Sequence, residues 1–410
     1  MNEARFLDTA DFIGARLCRD ALWSGNRCNW LGDAMEFTES RWQVVHRSFG
    51  PDLYGGTSGI ALFLARLYSV TQEKLFKKTA EAAIEATLLK MQEWNPAQSF
   101  GFYSGLSGIA YALAEVAPLI GREDLEQKSM QTLEKLPRQD IAMQTWDIIS
   151  GSAGIIPVLL RQHQKFGHDF LLSLAVQHGD MLLQGANRNH ASWSWTTIPG
   201  VAQKDLTGFS HGTAGIAWAL LELHSISKEQ RFMDAAMAAL RYERHWYDVA
   251  QENWPDFRSE GQPGTQACGM AWCHGAPGIG LARIRSGQLL HDDQCHTEAG
   301  IALRTTTRGL SAAMQSAQGN CSLCHGNMGN AELLLAAGDA LGDSASLDIV
   351  SRIADEAIQK YRFAHNAWPC GVLNGGENPG LMLGLAGIGY FYLRLFDRSK
   401  IPSILLVGPD

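Results

Sequence analysis

The chain has 410 residues, 46% hydrophobic and 19% charged, with a formal net charge of −8; at that length a folded chain divides into two or three domains unless a repeat spreads its core around a ring. The basic residues form no long run, which argues against nucleic acid and anionic membrane as partners. Charged residues from Glu3 to Asp20 break any signal-peptide core, no stretch of about 18 uncharged apolar residues offers a membrane span, and eight cysteines are too few for a disulfide framework, so the expected compartment is the reducing cytoplasm.

In chain order, one pattern returns seven times: Gly-x-x-Gly followed by a small or apolar run. The first glycines are Gly56, Gly105, Gly151, Gly212, Gly275, Gly326 and Gly384, at spacings of 49, 46, 61, 63, 51 and 58 residues. Such a period holds two helices and their loops. After each glycine pair comes a segment apolar on nearly every face, as in Ile60-Ala61-Leu62-Phe63-Leu64-Ala65, which predicts a helix buried all round. Between motifs lie amphipathic segments such as 75–91, where Phe76, Ala80, Ala83, Thr87 and Met91 keep helical spacing. Alternating buried and half-exposed helices predict an all-α fold, an α/α toroid of seven helical hairpins in which residues 1–410 form a single domain. Residues 1–10 read as a leading segment or linker. An open α-solenoid of the same hairpins is the alternative.

Connections are short before the first three motifs and long before the fourth, fifth and seventh: 184–210, 250–271 and 361–381. Long loops in a compact fold tend to carry function, and these three should gather at the end of the ring where the buried helices begin. Trp193, Trp195, Trp254 and Trp368 there would line a peptide groove or anchor the loops.

Three motifs place His before the glycine, at His211, His274 and His325, and two of them add Cys273 and Cys324 before the His. Equivalent positions in neighbouring repeats would bring two Cys-His pairs together, a soft donor set suited to Zn²⁺. Cys273, Cys324 and His325 make a Cys₂His site with one position open, with His274 beside it. A closed site using Cys321 or Cys268, or His274 in place of His325, remains an alternative reading. Cys18, Cys28, Cys295 and Cys370 match no repeat position. An open thiophilic zinc suits thiol chemistry, since a thiol of pKa about 8.5 is mostly protonated at neutral pH and coordination removes its proton. His211 is placed to move a proton, and Asp147, before the third motif, to orient it or to cap a helix.

These motifs resemble the lanthionine synthetase C-like family, and more closely the cyclase half of class II (LanM-type) lanthipeptide synthetases. The likeness is carried by DLYGGTSGIALFLA (52–65), GFSHGTAGIAWALL (208–221), NWPDFR (253–258), AWCHGAPGIGLAR (271–283), SLCHG (322–326) and IPSILL (401–406), and runs from about residue 10 to the C-terminus. The resemblance implies a seven-repeat toroid and one catalytic Zn²⁺ on Cys273, Cys324 and His325. It also implies a catalytic His211 and an active-site Asp147. The implied reaction is Michael-type addition of cysteine thiols of a precursor peptide to dehydroalanine or dehydrobutyrine. Two departures stand out. Nisin-cyclase-like members carry Arg four residues before the first zinc cysteine, where this chain has Gly269, leaving the oxyanion partner open. Class II enzymes are about twice as long, with an N-terminal dehydratase, so the chain is either an excised half or a stand-alone cyclase supplied by a dehydratase domain or protein.

Other readings are a zinc thiol transferase, a toroidal glycoside hydrolase and a non-catalytic, zinc-stabilised peptide scaffold. The first would place a carboxylate at the metal and a basic pocket for diphosphate; the second needs paired carboxylates at the mouth. The motifs supply neither.

Overall fold

A computed structural model describes residues 3–38, 41–97, 99–136, 145–258, 266–316 and 319–409. Helix α1 (Ala4–Asp20) is followed by two antiparallel hairpins, β1 (Leu22–Ser24) with β2 (Arg27–Asn29) and β3 (Leu31–Thr38) with β4 (Arg41–Ser48). Helices then alternate: α2 (Thr57–Thr71), α3 (Lys74–Lys90), α4 (Leu106–Ile120), α5 (Asp124–Glu134), α6 (Ser152–Phe166) and α7 (Asp169–Gly185). A short hairpin, β5 (Asn187–Asn189) with β6 (Ser192–Ser194), precedes α8 (Thr213–Ser227), α9 (Gln230–His245), α10 (Ala276–Leu290), α11 (Asp293–Ser316), α12 (Asn327–Leu341), α13 (Ser344–Ala357) and α14 (Leu385–Phe396).

The seven helices that follow the glycine pairs form the inner ring. Their all-round apolar sequences leave no face for water: Ile60 to Ala65 of α2 are fully buried, and burying a Leu, Ile or Phe side chain contributes about 1.5–3 kcal/mol. The helices between them lie outside and bury one stripe. In α3 that stripe includes Phe76, Ala80, Ala83 and Thr87, as the spacing predicts. Helix α1 packs on α14 and so supplies the outer partner that the chain's last helix lacks. The ion pairs Arg5–Asp355 and Arg16–Glu377 fasten α1 to α13 and to the loop that leads into α14.

Closure is visible in the backbone. A residue two or three before the first glycine of each motif bonds to its counterpart in a neighbouring repeat. Tyr54 N–H donates to Tyr103 O (2.8 Å), Tyr103 N–H to Ile149 O (3.0 Å) and Ile148 N–H to Ser210 O (3.0 Å). Ser210 N–H donates to Cys273 O (3.0 Å), Cys273 N–H to Cys324 O (3.3 Å), Cys324 N–H to Met382 O (3.0 Å) and Met382 N–H back to Tyr54 O (2.8 Å). The circuit is complete, so the fold is the closed toroid and not the open solenoid. The second glycine of each pair is required by this closeness. A Cβ on Gly278 would lie 1.9 Å from Trp272 O and one on Gly154 2.0 Å from Ile148 O. The first glycines serve the same need for space; Gly275 alone among them also has positive φ (+86°).

Two features lie outside the expected helical pattern. Residues 22–48 form hairpins, and the longer one is held to the 371–378 loop by Asn378 Nδ2 donating to Asp33 O (2.6 Å) and Gly376 N–H to Asp33 Oδ2 (2.7 Å). The C-terminal segment 401–407 runs through the inside of the ring. Tyr103 Oη donates to Ile404 O (2.7 Å), Trp272 Nε1 to Leu405 O (2.9 Å), Tyr390 Oη to Pro402 O (2.9 Å) and Arg394 Nη1 to Ile401 O (2.6 Å). Ile401, Ile404, Leu405 and Val407 are buried.

Candidate metal centre

The backbone circuit brings the residues just before the glycines to one end of the ring, where the inner helices start. There the Sγ atoms of Cys273 and Cys324 and a ring nitrogen of His325 all lie within 4.8 Å of one another. They form the candidate metal-binding group of three or more such side chains among the described residues. Cys321 of the C-x-x-C and Cys268 stand outside it: Cys321 N–H is bonded to Pro369 O (2.7 Å), and Cys268 bridges to Pro255. Cys18 of α1 and Cys28 of β2 direct their thiols at Leu75 O and Thr79 O of α3, Cys295 is buried beside Arg244, and Cys370 accepts from Asn378 N–H.

The donor set fits a divalent thiophilic ion. His325 Nε2 donates to Gly371 O (2.8 Å), which orients the ring so that Nδ1 is the atom available to a metal, the usual support of a metal-binding imidazole. The two cysteine side chains are hydrogen-bonded to each other. Cys324 is held well below the usual thiol range because it accepts from Cys273, and also from His325 and Tyr54. Cys273 is driven well above it by the same contact and by burial. A cation between them would let both ionise.

Beside Cys273, His274 Nδ1 lies 3.1 Å from its Sγ and accepts from Arg258 Nη2 (2.8 Å), while its Nε2 faces Asp256 Oδ2 at 3.5 Å. Burial lowers the pKa of His274, consistent with a neutral ring that takes Arg258 on one nitrogen and gives its proton toward Asp256 from the other. The geometry therefore places His274 next to a ligand and outside the cluster itself.

His211 sits one repeat away in the same cavity, of about 500 Å³. Its Nδ1–H donates to Asp147 Oδ2 (2.5 Å), and Asp147 Oδ1 accepts Ser150 N–H (2.7 Å). The buried carboxylate thus both shapes the turn before α6 and grips the imidazole, leaving Nε2 as the nitrogen with a role to play. Thr197 Oγ1 donates to His211 O (2.5 Å).

Each long connection therefore braces a histidine: 184–210 through Thr197, 250–271 through Asp256 and Arg258, and 361–381 through Gly371. Of the second of these, residues 259–265 lie outside the described residues. The tryptophans behave otherwise. Trp195, Trp254 and Trp368 are 0%, 1% and 1% exposed and anchor the loops, Trp195 by donating to Leu182 O (2.8 Å) and Trp368 by packing on Tyr361 and Tyr392. Trp193 is half-buried under Arg188. None of the four lines the cavity. Trp94, Tyr54, Asp52 and Arg258 do, and sequence reasoning did not pick them out, although Tyr54 and Arg258 fall within two of the recurring or family-like segments.

The comparisons agree with this picture. A family model described as lanthionine synthetase C-like protein matches residues 47–406. The lacticin 481/lactococcin biosynthesis protein LcnDR2 of Lactococcus lactis subsp. lactis is 22% identical over 94% of this chain, which spans 40% of that protein's length. The nisin biosynthesis protein NisC of the same organism is 24% identical over 68% of this chain and 71% of its own. Among solved structures, nisin cyclase superposes with a TM-score of 0.62 at 19% identity, covering 87% of this chain and 91% of that one. A sugar epimerase from a ruminal bacterium gives a TM-score of 0.50 at 12% identity, covering 97% and 99%, so the toroid is shared with carbohydrate enzymes while the cysteine motifs follow the lanthionine synthetase pattern. With 360 consecutive residues matched by the family model, the chain belongs to the lanthionine synthetase C-like family.

Proposed function

We propose that residues 1–410 form one cyclase domain that closes thioether rings by adding cysteine thiols of a precursor peptide to dehydroalanine or dehydrobutyrine. The observation that carries this reading is the convergence of Cys273, Cys324 and His325 on one point of a cavity that also holds His211. Those three residues would hold a single Zn²⁺ and leave a position for a peptide sulfur. When bound there, Zn²⁺ acidifies a thiol so that it reacts as the thiolate.

The chain's own residues do the rest. His325 is locked by Gly371, and Tyr54 donates to the Cys324 sulfur, so the ligands are set before a peptide arrives. His211, fixed through Nδ1 by Asp147, takes on Nε2 the proton that the thiol releases and holds it for the α-carbon of the dehydro residue. The sulfur lone pair forms the C–S bond at the β-carbon, the double-bond pair moves toward the carbonyl, and His211 returns a proton to the α-carbon. The net change adds S–H across C=C, and no redox partner is required.

The substrate is a dehydrated precursor peptide, and a dehydratase domain or protein must supply it; LcnDR2 is long enough to carry more than the part matched here. No helix among the described residues is long and apolar enough to cross a membrane. All eight cysteines are free, which supports placement in the reducing cytoplasm.

The test is to incubate zinc-loaded protein with a dehydrated, cysteine-containing peptide and count thiols by alkylation and mass spectrometry, since cyclisation alone leaves mass unchanged. Loss of alkylation sites is expected. Thiols that stay fully reactive, with zinc loss unfolding the protein, would instead favour the peptide-binding scaffold.

A further inference from the structure

The proposed addition needs one group not yet assigned. As the C–S bond forms, negative charge builds on the carbonyl oxygen of the dehydro residue, and the His211–Asp147 pair addresses the α-carbon and not that oxygen. A fixed hydrogen-bond donor carrying positive charge is the efficient solution in a site shielded from water.

Among the described residues, Arg258 is the one Lys or Arg side chain lining the cavity. It is held rather than floating. Its Nε and Nη2 grip Asp256 Oδ1 and Oδ2 at 2.9 and 3.0 Å, its own N–H donates to Asp256 Oδ1 (3.1 Å), and Nη2 donates to His274 Nδ1 (2.8 Å). The bidentate pair uses one edge of the planar guanidinium. Nη1 on the other edge has no hydrogen-bond partner among the described residues. The chain segment before Cys273 offers no substitute. A Cβ at Gly269 would lie 2.0 Å from His274 Cδ2, so the ring of His274 fills the space that a side chain there would need. Within the 250–271 loop it is Arg258, and not position 269, that brings a positive charge to the cavity.

We propose that Arg258 receives the carbonyl oxygen of the dehydro residue as the enolate forms, with Asp256 and His274 as its positioning residues; this rests on the cyclase reading above. The sulfur pair makes the C–S bond, the double-bond electrons pass to the carbonyl oxygen, and an Arg258 N–H donates to that oxygen without transferring its proton. His211 then protonates the α-carbon, and the carbonyl re-forms.

The experiment compares wild type, Arg258→Gln, Arg258→Lys and Arg258→Ala in kcat and KM for thiol loss. Zinc content and affinity for the undehydrated peptide are measured alongside. Arg258→Gln should lower kcat by about 10²–10³-fold with KM, zinc content and peptide affinity within about twofold of wild type, and guanidinium ion should restore Arg258→Ala at least about tenfold. Arg258→Lys, which keeps the charge, should fall between wild type and Arg258→Gln and serves if the neutral variants fail to fold. Unchanged kcat, a rise in KM alone, loss of zinc, or no response to guanidinium would each overturn the assignment. A wild-type protein that leaves every thiol reactive would defeat the cyclase reading itself; an active wild type with an indifferent Arg258→Gln defeats only the role of Arg258.

Discussion

Repeats one to three and repeats four to six of the ring use the same backbone for different ends. Both arcs pass through the closing circuit with N···O distances of 2.8–3.3 Å, and both need the second glycine for the same clash-free approach. They part at the residues just before the first glycine. The quiet arc has Tyr54-Gly55, Tyr103-Ser104 and Ile149-Ser150; the other has Ser210-His211, Cys273-His274 and Cys324-His325. Asp52 and Asp147 sharpen the contrast. Each caps its turn through a backbone N–H, of Gly55 and Ser150 respectively, yet only Asp147 also grips a histidine. Asp52 is left with its carboxyl pKa raised by burial. The scaffold is thus indifferent to what stands at these positions, and chemistry is added by the side chain there together with the loop that braces it.

That division can be broken by substitution, starting with the largest effect. Cys324→Ala should drop zinc from one per chain to a small fraction and slow ring closure by more than about 10³-fold, because a site short of a ligand binds metal poorly. Ser150→Ala, in the quiet arc, should leave zinc content unchanged by elemental analysis. Next, His211→Ala should retain zinc and slow thiol loss by about 10²–10⁴-fold, the usual worth of a positioned proton donor, with Asp147→Asn slower than wild type by a smaller factor. Third, Gly154→Ala and Gly278→Ala should each cost about 2–4 kcal/mol in denaturant unfolding, since the added methyl meets a carbonyl on either arc. Markedly unequal losses would show that the arcs are not mechanically equivalent.

The smallest effect concerns a histidine of the quiet arc. His178 of α7 is fully buried against Ser152 Oγ (3.1 Å), and burial lowers its pKa to about 4. An unfolded chain would protonate it near 6.5. Because the folded value is the lower one, the unfolded state binds the proton first. This residue's share of stability is therefore complete above pH about 6.5 and fades as pH falls toward 4, up to about 3 kcal/mol. His178→Gln should flatten that part of the stability-versus-pH curve, and a slope that survives the substitution would assign it elsewhere.

Much of this arrangement was legible because repetition amplifies weak signals. One Gly-x-x-Gly means little; seven at near-constant period specify hairpins, and two Cys-His dipeptides at the same register specify a meeting point. The closed ring was read from the alternation of buried and half-exposed helices, but the bonds that close it were not legible, because they are made by main-chain N–H and C=O groups that every sequence carries. The tryptophans misled for the opposite reason. A large amphipathic ring in a long loop suits a groove or an anchor equally well, and burial of Trp195, Trp254 and Trp368 selects the anchor. Arg258 was visible within NWPDFR, but its reach to His274 across 16 positions depends on how the loop folds. Residues 22–48 were missed because their hairpins lie before the first Gly-x-x-Gly motif, outside the repeat that guided the reading.

The C-terminal segment threaded inside the ring has a consequence for traffic. With Ile404 and Leu405 tied to Tyr103 and Trp272, the lumen is a cul-de-sac, and a polypeptide cannot be pulled through it like thread through a bead. On the cyclase reading proposed above, a bend of the peptide would dip in from the open rim and withdraw the same way, which leaves both of its ends outside and free to be long. Successive rings on one precursor would then require repeated visits, with the order set by which bend dips in next.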